Sequence, residues 1–518
     1  MTEPSRRAVV SGLAAGLAGL PITALGQARP FSFATVEDEA RSLAAAPYDA
    51  TVPPLPDILA KLDYDAWRDI RFRPDRAFRV GADGRFRLQL FHLGFLYPRP
   101  VAVSLVRDGT ATPITYDPAL FDFGRTKLDA PLPGDLGFAG IRLHTALNRP
   151  DVIDELIVFV GASYFRFLGQ DQLYGLSARA LAVNTEAAGG PEEFPVFRAF
   201  WIEADGEPGT CTIHALLDGP SQAGAYRFIV RPGAQTTVSV TATLFPRRPL
   251  ADAGLAPLTS MYFIGETDRG HSDDYRPELH DSDGLQIAAG SGEWLWRPLD
   301  NPGGRRISTF SVASPRGFGL MQRDRSFASY QDLEAGYERR PGYFVEPEGD
   351  WGEGSVVLME LPTDNETADN IVAFWRPKIP FPPGKPARFA YRIRAIGAGD
   401  LHPNGQVVNT FLATPAASGA PRKEGDPDGR LARRFLIDFG GGSLDRRAAG
   451  APPPEVVASA SIGRIVATSI VPNPHIGGFR VAVDIRLDAP GTTELRAFLR
   501  DKGGEALTET WTFPWSAA

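Results

Sequence analysis

Arg388-Phe389-Ala390-Tyr391-Arg392-Ile393 alternates between large apolar residues and polar or small ones. A period of two puts Phe389, Tyr391 and Ile393 on one face of a strand and Arg388 and Arg392 on the other, as a sheet buried on one side demands. Runs of the same kind recur at Phe86-Arg87-Leu88-Gln89-Leu90-Phe91 and Tyr226-Arg227-Phe228-Ile229-Val230, separated by turns drawn from 54 Gly and 46 Pro. Short alternating strands punctuated by residues that favour turns predict stacked sheets, hence an all-β chain. Helical spacing is confined to 36–45, where Val36, Ala40, Leu43 and Ala44 share a face, and to 56–62 and 65–70.

Size and charge narrow the function. A chain of 518 residues, 43% hydrophobic, can bury a core large enough for two domains. Its formal charge of −8 argues against nucleic acid and anionic membrane as partners, since both reward basic patches. Ser5-Arg6-Arg7, the apolar stretch 8–25 and the small residues Gly26 and Ala28 read as a twin-arginine export signal over 1–28. A membrane anchor is the rival, but the stretch is broken by Pro21 and barely reaches spanning length. Val9-Val10 stand where such signals favour Phe-Leu, which leaves ordinary Sec export open. Removal of the segment, with Arg6 and Arg7 against Glu3, takes the charge to −9 and predicts a mature periplasmic protein. The single cysteine, Cys211, lies in the alternating run 211–216 and reads as a buried strand residue. The seven histidines show no zinc-type spacing, so neither a metal nor another cofactor is expected.

Beyond a short segment of small and polar residues at 395–405, evenly spaced strands follow at 434–439, 465–470, 479–487, 492–500 and 508–513. They predict a small β-sandwich of immunoglobulin type over 398–518, after a larger unit at 29–397. The Pro-, Gly- and charge-rich 416–428 and the Ala/Pro-rich 448–454 read as loops within it.

No nucleophile elbow, phosphate-binding loop or HExxH helix occurs, which leaves carboxylates, arginines and aromatics. Those suit sugars, whose ring faces stack on aromatics and whose glycosidic bonds break between one carboxylic acid and one carboxylate. They are densest over 273–375. One segment there is Tyr275-Arg276-Pro277-Glu278-Leu279-His280-Asp281-Ser282-Asp283-Gly284, followed by Gly292-Glu293-Trp294-Leu295-Trp296-Arg297-Pro298; the other is 361–375, containing Glu366-Thr367-Ala368-Asp369-Asn370. Either could be a capped turn, and Asp281-x-Asp283-Gly284 resembles the start of a calcium loop whose twelfth position, Gly292, lacks the required Glu.

Together with Leu136-Gly137-Phe138-Ala139-Gly140, Gly161-Ala162-Ser163-Tyr164-Phe165-Arg166, Tyr174-Gly175-Leu176-Ser177-Ala178-Arg179, Glu192-Glu193-Phe194-Pro195, Ala256-Pro257-Leu258-Thr259-Ser260-Met261 and Gly317-Phe318-Gly319-Leu320, these segments resemble the G and D types of osmoregulated periplasmic glucan biosynthesis proteins. The likeness spans the mature chain, and the signal is closer to the D type. It implies a large multi-sheet β-sandwich similar to the galactose-mutarotase supersandwich, followed by an immunoglobulin-like β-sandwich. The activity implied is anomer-inverting endo-β-1,2-glucanase, with Asp369 as general acid and Asp281 as general base. Glu366, Tyr337, Arg340, Trp294, Trp296 and His280 are the expected substrate contacts, a core role for the tryptophans being the alternative. Transglycosylation on the same glucan and non-catalytic glucan assembly are the competing functions. The partners to expect are β-1,2-glucan, a second copy in a homodimer, and the inner-membrane glucan synthase machinery.

Overall fold

The computed structural model describes residues 28–128, 131–186, 191–267, 273–397, 401–414, 430–445 and 452–517. The expected export signal therefore lies outside the described residues, except Ala28, as do the loop 416–428 and most of 448–454. Strands dominate what is described. The three alternating runs fall in the strands Phe86–Phe91, Gln222–Arg231 and Ala387–Ile396. Helix is limited to short segments, chiefly Phe33–Ala45, which covers the predicted 36–45, with Asp57–Ala60 and Tyr64–Asp69 near the other two.

Two large sheets carry the body. In the first, Val196–Glu203, Cys211–Asp218, Gln222–Arg231 and Thr237–Pro246 pair antiparallel in chain order, and Ala387–Ile396, Gly342–Glu348, Gly317–Met321, Gly284–Ala288 and Trp294–Pro298 extend it. The second runs Arg306–Ala313, Glu353–Glu360, Ile371–Pro377, Ala253–Ser260, Ser177–Arg179, Tyr164–Phe167, Asp154–Val160 and onward to Phe78–Val80. Their apolar faces share one core: Phe165 of the second sheet packs edge-on against Phe228 of the first, centroids 5.3 Å apart. Such aromatic pairs add about 0.5–1.5 kcal/mol beyond their buried area. Cys211 is buried in this core, at one end of its strand.

The C-terminal strands occur near their predicted places, and two more, Gln406–Ala413 and Glu455–Ala460, join them. Gln406–Ala413, Ala432–Gly440, Gly478–Arg486 and Arg464–Asn473 form a four-stranded sheet. The others add to the first large sheet, where Thr510–Ala517 runs parallel to Trp294–Pro298 with Trp511 opposite Trp296. The sheet thus continues past residue 397 through a later strand. Phe435 of the four-stranded sheet lies 5.5 Å from both Trp511 and Phe513, which centres a second core.

Candidate active site

Asp281 sits where two sheets hand the chain over. The short strand Leu279–His280 pairs with Tyr262–Ile264, the Asp281 amide donates to the Met261 carbonyl (2.8 Å), and the chain enters the first large sheet at Gly284–Ala288. Asp281 is 5% exposed. Burial pushes its carboxyl up from the ordinary range, while the Arg340 guanidinium, hydrogen-bonded to Oδ1, pulls it back. The charge of Asp369 raises it further and that of Arg166 lowers it. Arg340 is itself held: its Nε and Nη2 donate to the Ala335 carbonyl (3.4 and 3.3 Å), and its guanidinium covers the Tyr337 ring at 4.0 Å. Its stem crosses Gly175, where a Cβ would stand 2.9 Å from the Arg340 Cβ. The glycine of the Tyr174-Gly175 motif is thereby explained by close approach.

Asp369 occupies the loop joining Glu353–Glu360 to Ile371–Pro377. The capped-turn reading accounts for much of that loop, since Thr367 donates through N and Oγ1 to Asn365 Oδ1 (3.0 and 2.6 Å) and Thr363 Oγ1 donates to the Asn365 carbonyl (2.8 Å). Asn370 then fixes the loop to the strand that pairs with Leu279–His280. It is 2% exposed, its Nδ2 donates to the carbonyls of Tyr262 and Leu361 (both 2.9 Å), and its Oδ1 accepts from the Tyr262 amide (2.9 Å). Because Tyr262 pairs with His280, the residue before Asp281, a single backbone segment aligns both carboxylates. The Asp369 side chain is 42% exposed, with Arg166 Nη2 3.7 Å from its Oδ2. The two carboxylates therefore have opposite surroundings, one buried against a guanidinium and one open.

Glu366 and Tyr337 meet beside them: the Tyr337 hydroxyl donates to Glu366 Oε2 at 2.7 Å. Burial first, and then this bond, raise the phenol above its usual range. Arg276, which sequence reasoning did not single out, donates to Asp274 (2.8 and 3.0 Å), Asp332 (2.8 Å) and Glu366 (2.9 and 3.4 Å). It stands within the segment Tyr275–Gly284 quoted above, and the only hint was one cation among several carboxylates.

Three of the expected contacts are engaged within the protein itself. His280 is 1% exposed and both ring nitrogens are occupied, Nδ1 by Gln322 (2.9 Å) and Nε2 by Glu278 (3.0 Å), so it has nothing left to offer a sugar hydroxyl. Although desolvation opposes it, the Glu278 hydrogen bond and charge raise the imidazole. Trp296 is buried in the second core, with the Arg323 guanidinium 3.5 Å over its ring, and Trp294 packs there against Phe344 and His402. The calcium alternative also fails on donors: Asp283 Oδ2 accepts the amides of Arg323 and Asp324, and Asp281 faces Arg340.

Residues 31–515 match the model of a family described as periplasmic glucan biosynthesis protein, MdoG. Glucans biosynthesis protein G of Ralstonia nicotianae is 44% identical over 506 residues, covering 97% of this chain and 99% of its own. Glucans biosynthesis protein G of Rhodopseudomonas palustris is 44% identical over 518 residues, covering 99% and 100%. A probable glucans biosynthesis protein D of Shewanella oneidensis is 42% identical over 513 residues, covering 98% and 92%.

Proposed function

The chain belongs to the family of periplasmic glucan biosynthesis proteins, and we propose that it is a periplasmic, anomer-inverting endo-β-1,2-glucanase. The observation that supports this most is the unequal pair: Asp281 buried against Arg340, Asp369 open beside Arg166. Inversion needs one carboxylate that accepts a proton from water and one carboxylic acid that delivers a proton to the leaving sugar oxygen. Asp281 is the base. Its desolvation brings it nearer the working pH, where a base is most effective, and Arg340 favours its ionised form. Asp369 is the acid. Its side chain is open enough to meet the leaving oxygen of a glucan chain that settles over the site. Water reaches the anomeric carbon on the Asp281 side and gives up its proton to that carboxylate, directly or along sugar hydroxyls. Glu366 and Tyr337, linked by a hydrogen bond, line the same opening as hydrogen-bonding partners for the substrate.

The segment 398–518 is read as an immunoglobulin-like unit packed on the catalytic one. Among the described residues no helix is long and apolar enough to cross a membrane. The deciding experiment is incubation of the purified protein with linear β-1,2-glucan, following product masses and anomers. Shorter chains with an inverted new reducing end support the reading. Cyclic or branched products without new reducing ends would indicate a transglycosylase, and bound but unchanged glucan would indicate an assembly factor.

A further inference from the structure

We infer that Arg276 is the positioning residue that joins the two carboxylate-bearing segments into one rigid unit; the inference rests on the proposed catalytic roles of Asp281 and Asp369. Arg276 stands five residues before Asp281 in the chain and outside 331–340 and 361–370, the two segments it joins. One Nη1 donates to Asp332 and to Glu366, residues 56 and 90 positions away in the chain. Its Nε and Nη2 donate to Asp274, which also accepts the Arg276 amide at 2.9 Å, so the guanidinium is anchored at its own base. The side chain is 14% exposed, and a planar fork of donors holding three carboxylates is a geometry that lysine cannot reproduce.

Each far partner leads to one catalytic group. Glu366 stands three residues before Asp369 in the same loop. Asp332 Oδ1 accepts the amides of Glu334 and Ala335 (2.9 and 2.8 Å), fixing the turn whose Ala335 carbonyl accepts the Arg340 guanidinium that pairs with Asp281. Arg276 thus acts on the acid through Glu366 and on the base through Asp332, Ala335 and Arg340. It is a mechanical tie and touches neither Asp281 nor Asp369 in any hydrogen bond above.

The test compares Arg276→Gln, Arg276→Lys and Asp332→Asn with the parent protein by hydrogen–deuterium exchange and by glucan cleavage. Exchange should accelerate in both 331–340 and 361–370 in Arg276→Gln while the sheet strands stay protected, and Lys should restore only part of the protection. Cleavage should fall about 10²-fold in kcat with little change in KM, the scale of a misplaced catalytic group. The acidic limb of the pH profile should move to higher pH, since a loosened Arg340 no longer offsets the burial of Asp281 and the charge of Asp369, Arg166 being unchanged. If Arg276→Gln does not fold, Asp332→Asn should accelerate exchange in 331–340 alone. Unchanged exchange in either segment of Arg276→Gln, or in 331–340 of Asp332→Asn, overturns the tie. Because exchange needs no turnover, that outcome is distinct from a parent protein that fails to cleave glucan.

Discussion

Asn370 holds both backbone polar groups of Tyr262, donating to its carbonyl and accepting from its amide at 2.9 Å each. The carboxamide acts as one residue of a missing neighbour strand, and because Asn370 adjoins Asp369 it sets that residue, the proposed acid, relative to the strand paired with Leu279–His280, which leads into Asp281, the proposed base. Asn370→Ala withdraws these bonds from a buried site at a cost of about 1–3 kcal/mol. The expected outcome is a lower melting temperature together with a kcat that falls further than glucan affinity. An Asn370→Ala protein with parental kcat would show that the loop is placed by something else.

Asp281 gives the pH profile a definite sign. Burial raises its carboxyl, and the ionised form is the one that accepts a proton, so activity should be lost as pH falls through a value above that of an ordinary aspartate. Arg340→Gln removes the guanidinium that opposes burial, leaving Arg166 as the remaining cation that acts on Asp281. The acidic limb of kcat/KM should therefore shift upward in pH, which a rate series from pH 4 to 9 would record (roughly the span over which a carboxyl can be tuned). A downward shift would contradict the role of base.

Period-two alternation made 226–230 and 388–393 legible because each has one face in a core and a more exposed opposite face. It failed at Gln406–Ala413, where the register slips between Val407 and Asn409 and the alternation breaks. The site was less legible. Asp281 and Asp369 came from resemblance, since their approach depends on Asn370 reaching a strand more than a hundred residues earlier. Arg276 could not be found from spacing because its partners converge only in the folded chain. Trp294 and Trp296 were ambiguous for a different reason: a sugar platform and an inter-sheet core both ask for aromatics at alternate strand positions. The Arg323 guanidinium over Trp296, and the close approach of its indole to Gly284, where a Cβ would lie 2.1 Å from the ring, identify a core role for Trp296.

Glu266 should make stability pH-dependent. It is partly buried and accepts the Thr410 amide of the C-terminal sheet at 2.6 Å. Burial, above all, pushes its carboxyl up to about 8, with Glu278 and Asp283 adding to the rise and Thr410 and His280 opposing it. A folded value above the unfolded one means that the native state holds the extra proton. The contribution is complete below the unfolded value of 4.5 and is lost as pH rises towards about 8. Glu266→Gln keeps the shape without the titration, so its melting temperature should exceed that of the parent at pH 8–9 by more than it does at pH 5 (roughly the two sides of that window). Parallel melting curves across this range would remove Glu266 from the account.

The acid assignment is the sharpest test of the proposed reaction. Asp369→Asn keeps the shape of the side chain but has no proton to give to a departing sugar oxygen, whose alkoxide is too basic to leave unaided. The carboxyl is largely open and meets only Arg166 at 3.7 Å in the contacts above, so folding and glucan binding should survive the change. General acid catalysis is worth about 10²–10⁴-fold, and the loss should appear in kcat rather than KM. Asp281→Asn should also abolish cleavage, but for another reason: it leaves water without a base. It additionally places a neutral amide against a buried Arg340, so its melting temperature should fall where that of Asp369→Asn does not. A β-glucosyl fluoride of matching linkage separates the two chemically, because fluoride leaves with little acid assistance. It should be turned over by Asp369→Asn and not by Asp281→Asn. Parental cleavage of natural glucan by Asp369→Asn would remove this residue as the acid and make Glu366, held by Tyr337 and Arg276 in the same loop, the next carboxyl to replace.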